Sequence, residues 1–216
     1  MKTLKDPKFY TNLDDDTHCA QASIMMVFSI LFPERTFSFE QLDRATNKYP
    51  GFSTWQTHEL FYYEKLGINF KYYDTFDMKN FGERGLKYIA EKYGDEVAEY
   101  NRENTKDINL EKRLCLEIAN KRWFFKRERI GLSLVKKLLD QGYYLMLGLN
   151  SKALNNQPGW VGHRVLSYGY DENGLVVHDP GLPPHPARYV PFDLFKKAWV
   201  DKVIIAIKPQ HLILSS

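Results

Sequence analysis

Cys19 follows an acidic loop and opens an apolar run, in the order Asp14-Asp15-Asp16-Thr17-His18-Cys19-Ala20-Gln21-Ala22-Ser23-Ile24-Met25-Met26-Val27-Phe28. A thiol in the first turn of a helix meets backbone N–H groups that lack intrahelical partners, together with the positive end of the helix dipole, and both favour thiolate. Far downstream, Gly162-His163 opens a β-rich stretch to Tyr170, and after Asp171-Glu172-Asn173-Gly174 a second stretch runs to Asp179-Pro180. The Asp and Gly residues of that connection predict a hairpin turn. Antiparallel pairing then sets His163, at the start of one strand, beside Asp179, at the end of the other. A Cys, a His and a carboxylate brought together supply a nucleophile, a general base and a group that fixes the base's tautomer.

Neighbouring residues take lesser parts. His178 adjoins Asp179 and, by the two-residue period of a strand, points to the opposite sheet face, which disqualifies it as the base. His18 is expected to be a solvated loop residue next to the nucleophile, placed to line a substrate subsite. Trp160 lies in the polar loop Asn155-Asn156-Gln157-Pro158-Gly159-Trp160-Val161-Gly162, where it can cover the catalytic hydrogen bonds or clamp a substrate. Gly181-Leu182-Pro183-Pro184-His185-Pro186 predicts a stiff rim beside Asp179. The histidines never fall at the paired spacings of zinc motifs, and Cys19 and Cys115 form no CxxC pair, so neither a metal nor a cofactor nor a disulfide framework is expected. Cys115, in Leu114-Cys115-Leu116, is expected to be a small buried apolar residue.

The elements that must position these residues follow from periodicity. An all-round apolar helix runs from Cys19 to Phe32 and ends at Pro33. Ser38 caps a short helix carrying Phe39, Leu42 and Ala45, and Ser53 or Thr54 caps another with Leu60, Phe61 and Leu66, stopped by Gly67. A strand is expected over Ile68–Tyr73. Lys79–Arg129 then reads as a charged, Tyr-studded helical insertion, in which Lys121–Arg129 forms an amphipathic helix with buried aromatics rather than a nucleic-acid surface. A helix over Ile130–Asp140, ended by Gly142, leads to a buried strand over Tyr143–Leu149 and to the His163 hairpin. Tyr189-Val190 pairs at an edge, Phe192–Trp199 is a short helix, and Lys202–Ile207 is the last strand. The class is α+β, an N-terminal central helix packed on a C-terminal antiparallel sheet.

With 216 residues, 44% of them hydrophobic, the chain can bury one core, and a single domain over residues 1–216 is expected. The net charge of +3 is spread along the sequence and implies no nucleic-acid partner. No apolar run reaches the ~18 residues of a membrane span and the N-terminal stretch does not look like a signal peptide, so a cytoplasmic location is expected. Nothing in the sequence sets an oligomeric state.

Three stretches, Tyr10 to Ser23, Leu134 to Leu149, and Gly162-His163 through Asp179-Pro180, together resemble the peptidase C39-like group of papain-like cysteine peptidases. The resemblance implies a papain-like fold with Cys19 as nucleophile, His163 as general base and acid, and Asp179 holding the imidazole. It further implies a thiol hydrolase that cleaves a peptide, isopeptide or other amide through a thioester acyl-enzyme. Two positions depart from the group's pattern. Ala20 stands where a Gly usually follows the nucleophile, and no Gln precedes Cys19 to serve the oxyanion, which leaves Asn12 as the nearest amide. The same constellation is open to two other readings, a papain-fold binding module without turnover and a thiol-dependent acyltransferase. Lys79–Arg129 lies outside the resemblance.

Overall fold

A computed structural model describes residues 1–50, 52, 54–200 and 202–209. Its strands are β1 (Lys2–Thr3), β2 (Phe70–Asp74), β3 (Phe124–Lys126), β4 (Tyr144–Asn150), β5 (Gly162–Tyr170), β6 (Gly174–Asp179), β7 (His185–Pro191) and β8 (Ile204–Ile207). Its helices are α1 (Cys19–Leu31), α2 (Phe39–Ala45), α3 (Gln56–Lys65), α4 (Met78–Arg84), α5 (Leu86–Tyr93), α6 (Asp95–Asn104), α7 (Ile108–Ile118), α8 (Leu132–Asp140), α9 (Ser151–Leu154) and α10 (Phe192–Ala198). The chain divides into two compact units, one made of Met1–Phe39, Ile68–Thr75 and the chain from Arg127 onward, the other of Glu40–Gly67 and Phe76–Lys126.

The first unit holds an antiparallel sheet in the order β2-β8-β4-β5-β6-β7, with β1 added along the far end of β5. Every residue of β8 is buried, as are all but Gly148 of β4, because these strands are central and read as continuous apolar runs. Edge strand β7 stays largely exposed. Helix α1 packs against β5 and is buried from Ala20 to Phe28, as an all-round apolar sequence requires. It closes where the Phe32 N–H bonds the Phe28 carbonyl, one residue ahead of Pro33.

The hairpin joining β5 to β6 is made by Asp171, whose N–H donates to the Gly174 carbonyl at 3.0 Å while its carboxylate accepts from the Asn173 and Gly174 N–H groups at 2.9 and 3.0 Å. Gly174 is required by packing, since a Cβ there would stand 2.7 Å from the Tyr189 ring and from the Val190 carbonyl oxygen. Between β6 and β7 the register moves from Val177↔Arg188 to Asp179↔His185, so β7 carries one extra residue. Ala187 sits in that bulge with φ 50°.

The second unit is mostly helical. Asp77 and Asp107 cap α4 and α7 by accepting from the Asn80 and Leu110 N–H groups, and Cys115 is buried in α7. The unit takes in residues 40–67 as well as the part of the Lys79–Arg129 segment up to Lys126. Two details differ from the expectations. The residue ahead of α3 is Trp55 in extended conformation, not Thr54, and Ser53 lies outside the described residues. Lys121–Arg129 contains the short strand β3 and no helix. The α7 helix is closed by the N–H groups of Ala119, Asn120 and Lys121, which turn back to the carbonyls of Cys115, Glu117 and Ile118. Among the described residues, no helix is long and apolar enough to cross a membrane.

Candidate active site

Cys19 is the first residue of α1. The loop before it is organised by Asn12, which is buried. Its side-chain oxygen accepts from the His18 N–H at 2.7 Å and the Leu13 N–H at 3.0 Å, and its Nδ2 donates to Asp16 Oδ1 at 2.7 Å. Asp15 accepts from the Thr17 N–H and hydroxyl, and its Oδ1 lies 3.0 Å from His18 Nδ1. Asp15 and Asp16 therefore serve the loop's own hydrogen bonds. His18 is not solvated as expected. It is 8% exposed, with its ring edge-on to Phe39, because the Asn12 and Asp15 contacts draw it inward.

His163 and Asp179 arrive from the two strands of the hairpin. Leu166 faces His178 across β5 and β6, and continuing that register sets Asp179 opposite Val165, with His163 a diagonal neighbour on the same sheet face. The contact is direct, with His163 Nε2 2.6 Å from Asp179 Oδ1. Nε2 then carries the ring's proton toward the carboxylate, and Nδ1 remains for the Cys19 thiol, which is hydrogen-bonded to this ring. The backbone N–H of Arg164 also donates to the Cys19 sulfur.

Asp179 is held on every side. Its Oδ1 accepts from the Gly181 N–H at 3.0 Å, and its Oδ2 accepts from Arg188 Nη1 at 2.7 Å. The other arm of Arg188, Nη2, donates to the Leu154 carbonyl at 2.8 Å and to Asn155 Oδ1 at 3.0 Å. Gly181 lies over the His163–Asp179 contact. A Cβ there would come within 3.1 Å of Asp179 Oδ1 and 3.4 Å of His163 Cε1 and Nε2.

The electrostatics follow from these contacts. Burial alone would raise the Cys19 thiol, but its hydrogen bond and charge interaction with His163, aided by Arg164, bring it below its ordinary value. Burial would lower His163, yet the bonds to Asp179 and Cys19 outweigh it and push the imidazole up to about 10. Burial would raise Asp179, but His163, the Gly181 N–H and Arg188 hold it at about 2. All three shifts favour a thiolate beside an imidazolium beside a carboxylate.

Cys19, His163 and Asp179 thus stand in one hydrogen-bonded row, with Asn12 and His18 in the loop at one end of it. Trp160 is 52% exposed in the loop leading to His163, its ring edge over Gly162. His178 turns to the other face, as its position implies. Its Nε2 meets the Pro7 carbonyl at 2.9 Å and Asp6 at 3.1 Å, while Nδ1 accepts from the Ala187 N–H at 3.0 Å. Among the described residues, no group of three or more His, Cys, Asp and Glu is placed to hold a metal ion.

Sequence reasoning placed Gly181 in a rim beside Asp179 but missed its close approach to the His163–Asp179 contact, and it missed Arg188 and the Arg164 N–H. For Arg188 a signal existed, since it lies on the strand paired with the one that ends in Asp179. The residue added at Ala187 hides its phase.

The chain matches no family model and no curated protein sequence. Among solved structures it is similar to the peptidase domain of Streptococcus ComA, a bi-functional ABC transporter involved in a quorum sensing pathway, at 14% identity and a TM-score of 0.49, over 94% of this chain and 98% of that one.

Proposed function

We propose that this protein is a cysteine hydrolase of amide bonds in peptides or isopeptides, built on a papain-like plan of the C39-like kind that the sequence resembles. One observation carries the reading: the Cys19 thiol, on the first residue of a helix, is bonded to a His163 ring whose far nitrogen lies 2.6 Å from a buried carboxylate. In this reading the Cys19 sulfur attacks the substrate carbonyl carbon as its proton rests on His163 Nδ1. The tetrahedral oxyanion takes hydrogen bonds from the Cys19 backbone N–H and the second N–H of the Asn12 amide. Collapse breaks the C–N bond, the imidazolium gives its proton to the leaving amine, and a thioester remains on Cys19. Water, deprotonated by His163, attacks the thioester, which releases the acid and returns the proton to the thiol. Asp179 keeps the ring in the tautomer and orientation that both steps need. Trp160, exposed in the loop that enters the His163 strand, is assigned to substrate contact, while the buried His18 helps to hold the loop ahead of Cys19.

The test is the pH dependence of iodoacetamide alkylation at Cys19, read by mass spectrometry with buried Cys115 as the internal control. Rapid labelling well below the ordinary thiol pKa of about 8.5, lost in His163→Ala, is expected. Sluggish labelling that tracks an ordinary thiol and ignores the mutation would leave a binding module without turnover.

A further inference from the structure

We propose that Arg188 is a positioning residue that acts on this site by charge: its guanidinium, anchored on the Leu154–Asn155 turn, sets a positive charge against the carboxylate that orients His163 and balances part of the negative charge placed on the ring. The inference rests on the reading of Cys19, His163 and Asp179 as a reactive row.

The geometry is specific. Arg188 faces Val177 across β6 and β7, so it shares a sheet face with Asp179 and approaches it diagonally, from the side opposite His163. The carboxylate divides its oxygens between the two, Oδ1 to His163 Nε2 and Oδ2 to Arg188 Nη1. The rigid planar guanidinium lets one arm meet the carboxylate while the other is anchored elsewhere. Nη2 is tied in turn to the Leu154 carbonyl and Asn155 Oδ1, so the guanidinium cannot swing without breaking three contacts. The Arg188 side chain is 17% exposed and that of Asp179 is 4% exposed, so solvent screens the pair only in part.

Among the described residues, charged groups that meet the ring and its carboxylate include Cys19 from α1 and Arg188 from β7. The N–H of Gly181 completes the set on Asp179, and the N–H of Arg164 does so on the thiol. With Arg188 in place, a thiolate, an imidazolium, a carboxylate and a guanidinium alternate in sign and sum to zero. Without it the row carries a net negative charge, and every acid in it binds its proton more tightly.

That sign separates a charge-balancing role from a purely structural one. The measurement is an NMR titration of the His163 ring in Cys19→Ser protein, where no thiolate titrates alongside it. Arg188→Ala is expected to raise the His163 pKa by roughly one unit, the effect of a unit charge about 6 Å away under partial screening. Arg188→Gln, uncharged but similar in shape, is expected to do the same and serves where the Ala variant fails to fold. Arg188→Lys should restore most of the original value. Were Arg188 only a tie, its loss would free Asp179 to turn away from the ring, and the pKa would fall. A fall, or no change in the Ala or Gln variant, overturns the proposal. Alkylation of protein with Cys19 intact distinguishes the two failures. If wild type and His163→Ala label alike, the hydrolase reading falls, while the titration still decides the part played by Arg188.

Discussion

The Asn12 N–H donates to the Pro180 carbonyl at 2.9 Å, which fastens the loop ahead of Cys19 to the residue directly after Asp179. The nucleophile's approach and the end of the acid's strand are thereby joined outside the sheet. The Asn12 side chain then fixes the next six residues through His18, Leu13 and Asp16.

Asn12→Ala should therefore act on stability as well as rate. It leaves the buried N–H of His18, and the N–H of Leu13, without their acceptor, and a loss of about 1–3 kcal/mol in urea denaturation is expected. Asn12→Asp keeps the acceptor and should recover most of that loss. A turnover deficit that persists in the Asp variant then reports the missing amide donor, and equal turnover in Asn12→Asp and wild type would remove Asn12 from the oxyanion site.

Asp179 sets the acid limb of stability. Its pKa is lowered from 3.8 to about 2 in the folded chain, so its contribution is full above the unfolded value and fades as pH falls through about 2. The size is about 2 kcal/mol. His163 works in the other direction. Raised from 6.5 to about 10, it contributes fully below its unfolded value, and that contribution is lost as pH climbs through about 10. Urea unfolding across pH should show the gap between wild type and Asp179→Asn closing between about pH 4 and pH 2. A gap that stayed constant over that range would contradict the ionic contact with His163.

His178 offers a contrast within the same hairpin. It is buried on the opposite face, and its ring links Pro7 to the bulge at Ala187. His178→Ala is expected to lower stability by about 1–3 kcal/mol through the polar groups it strands, while the pH profile of Cys19 alkylation stays that of wild type. A shift in that profile would mean that the two sheet faces are coupled.

Much of this arrangement was legible because it is local. Asp171 through Gly174 announce the hairpin by turn chemistry, Pro33 marks the end of α1, and period-two logic placed His163 and Asp179 on one face with His178 on the other. What escaped depends on phase or on space. The bulge at Ala187 shifts β7 by one residue, and that shift decides which way Arg188 points. Gly181 matters because of what a side chain there would touch, which no periodicity records. His18 is expected in solvent as a loop residue, yet Asn12 and Asp15 draw it inward. Lys121–Arg129 is expected to be helical, yet α7 is closed by N–H groups up to Lys121 and only the short strand β3 follows.

One hairpin carries both His163 and Asp179, whereas Cys19 comes from the other end of the chain. A single four-residue turn brings the base and its carboxylate onto neighbouring strands. The seating of α1 on β5 then brings the sulfur to them. The reactivity of a single sulfur becomes a gauge of that event: seated, Cys19 labels as an activated thiolate, and in a molecule whose α1 has left the sheet it labels as an ordinary thiol.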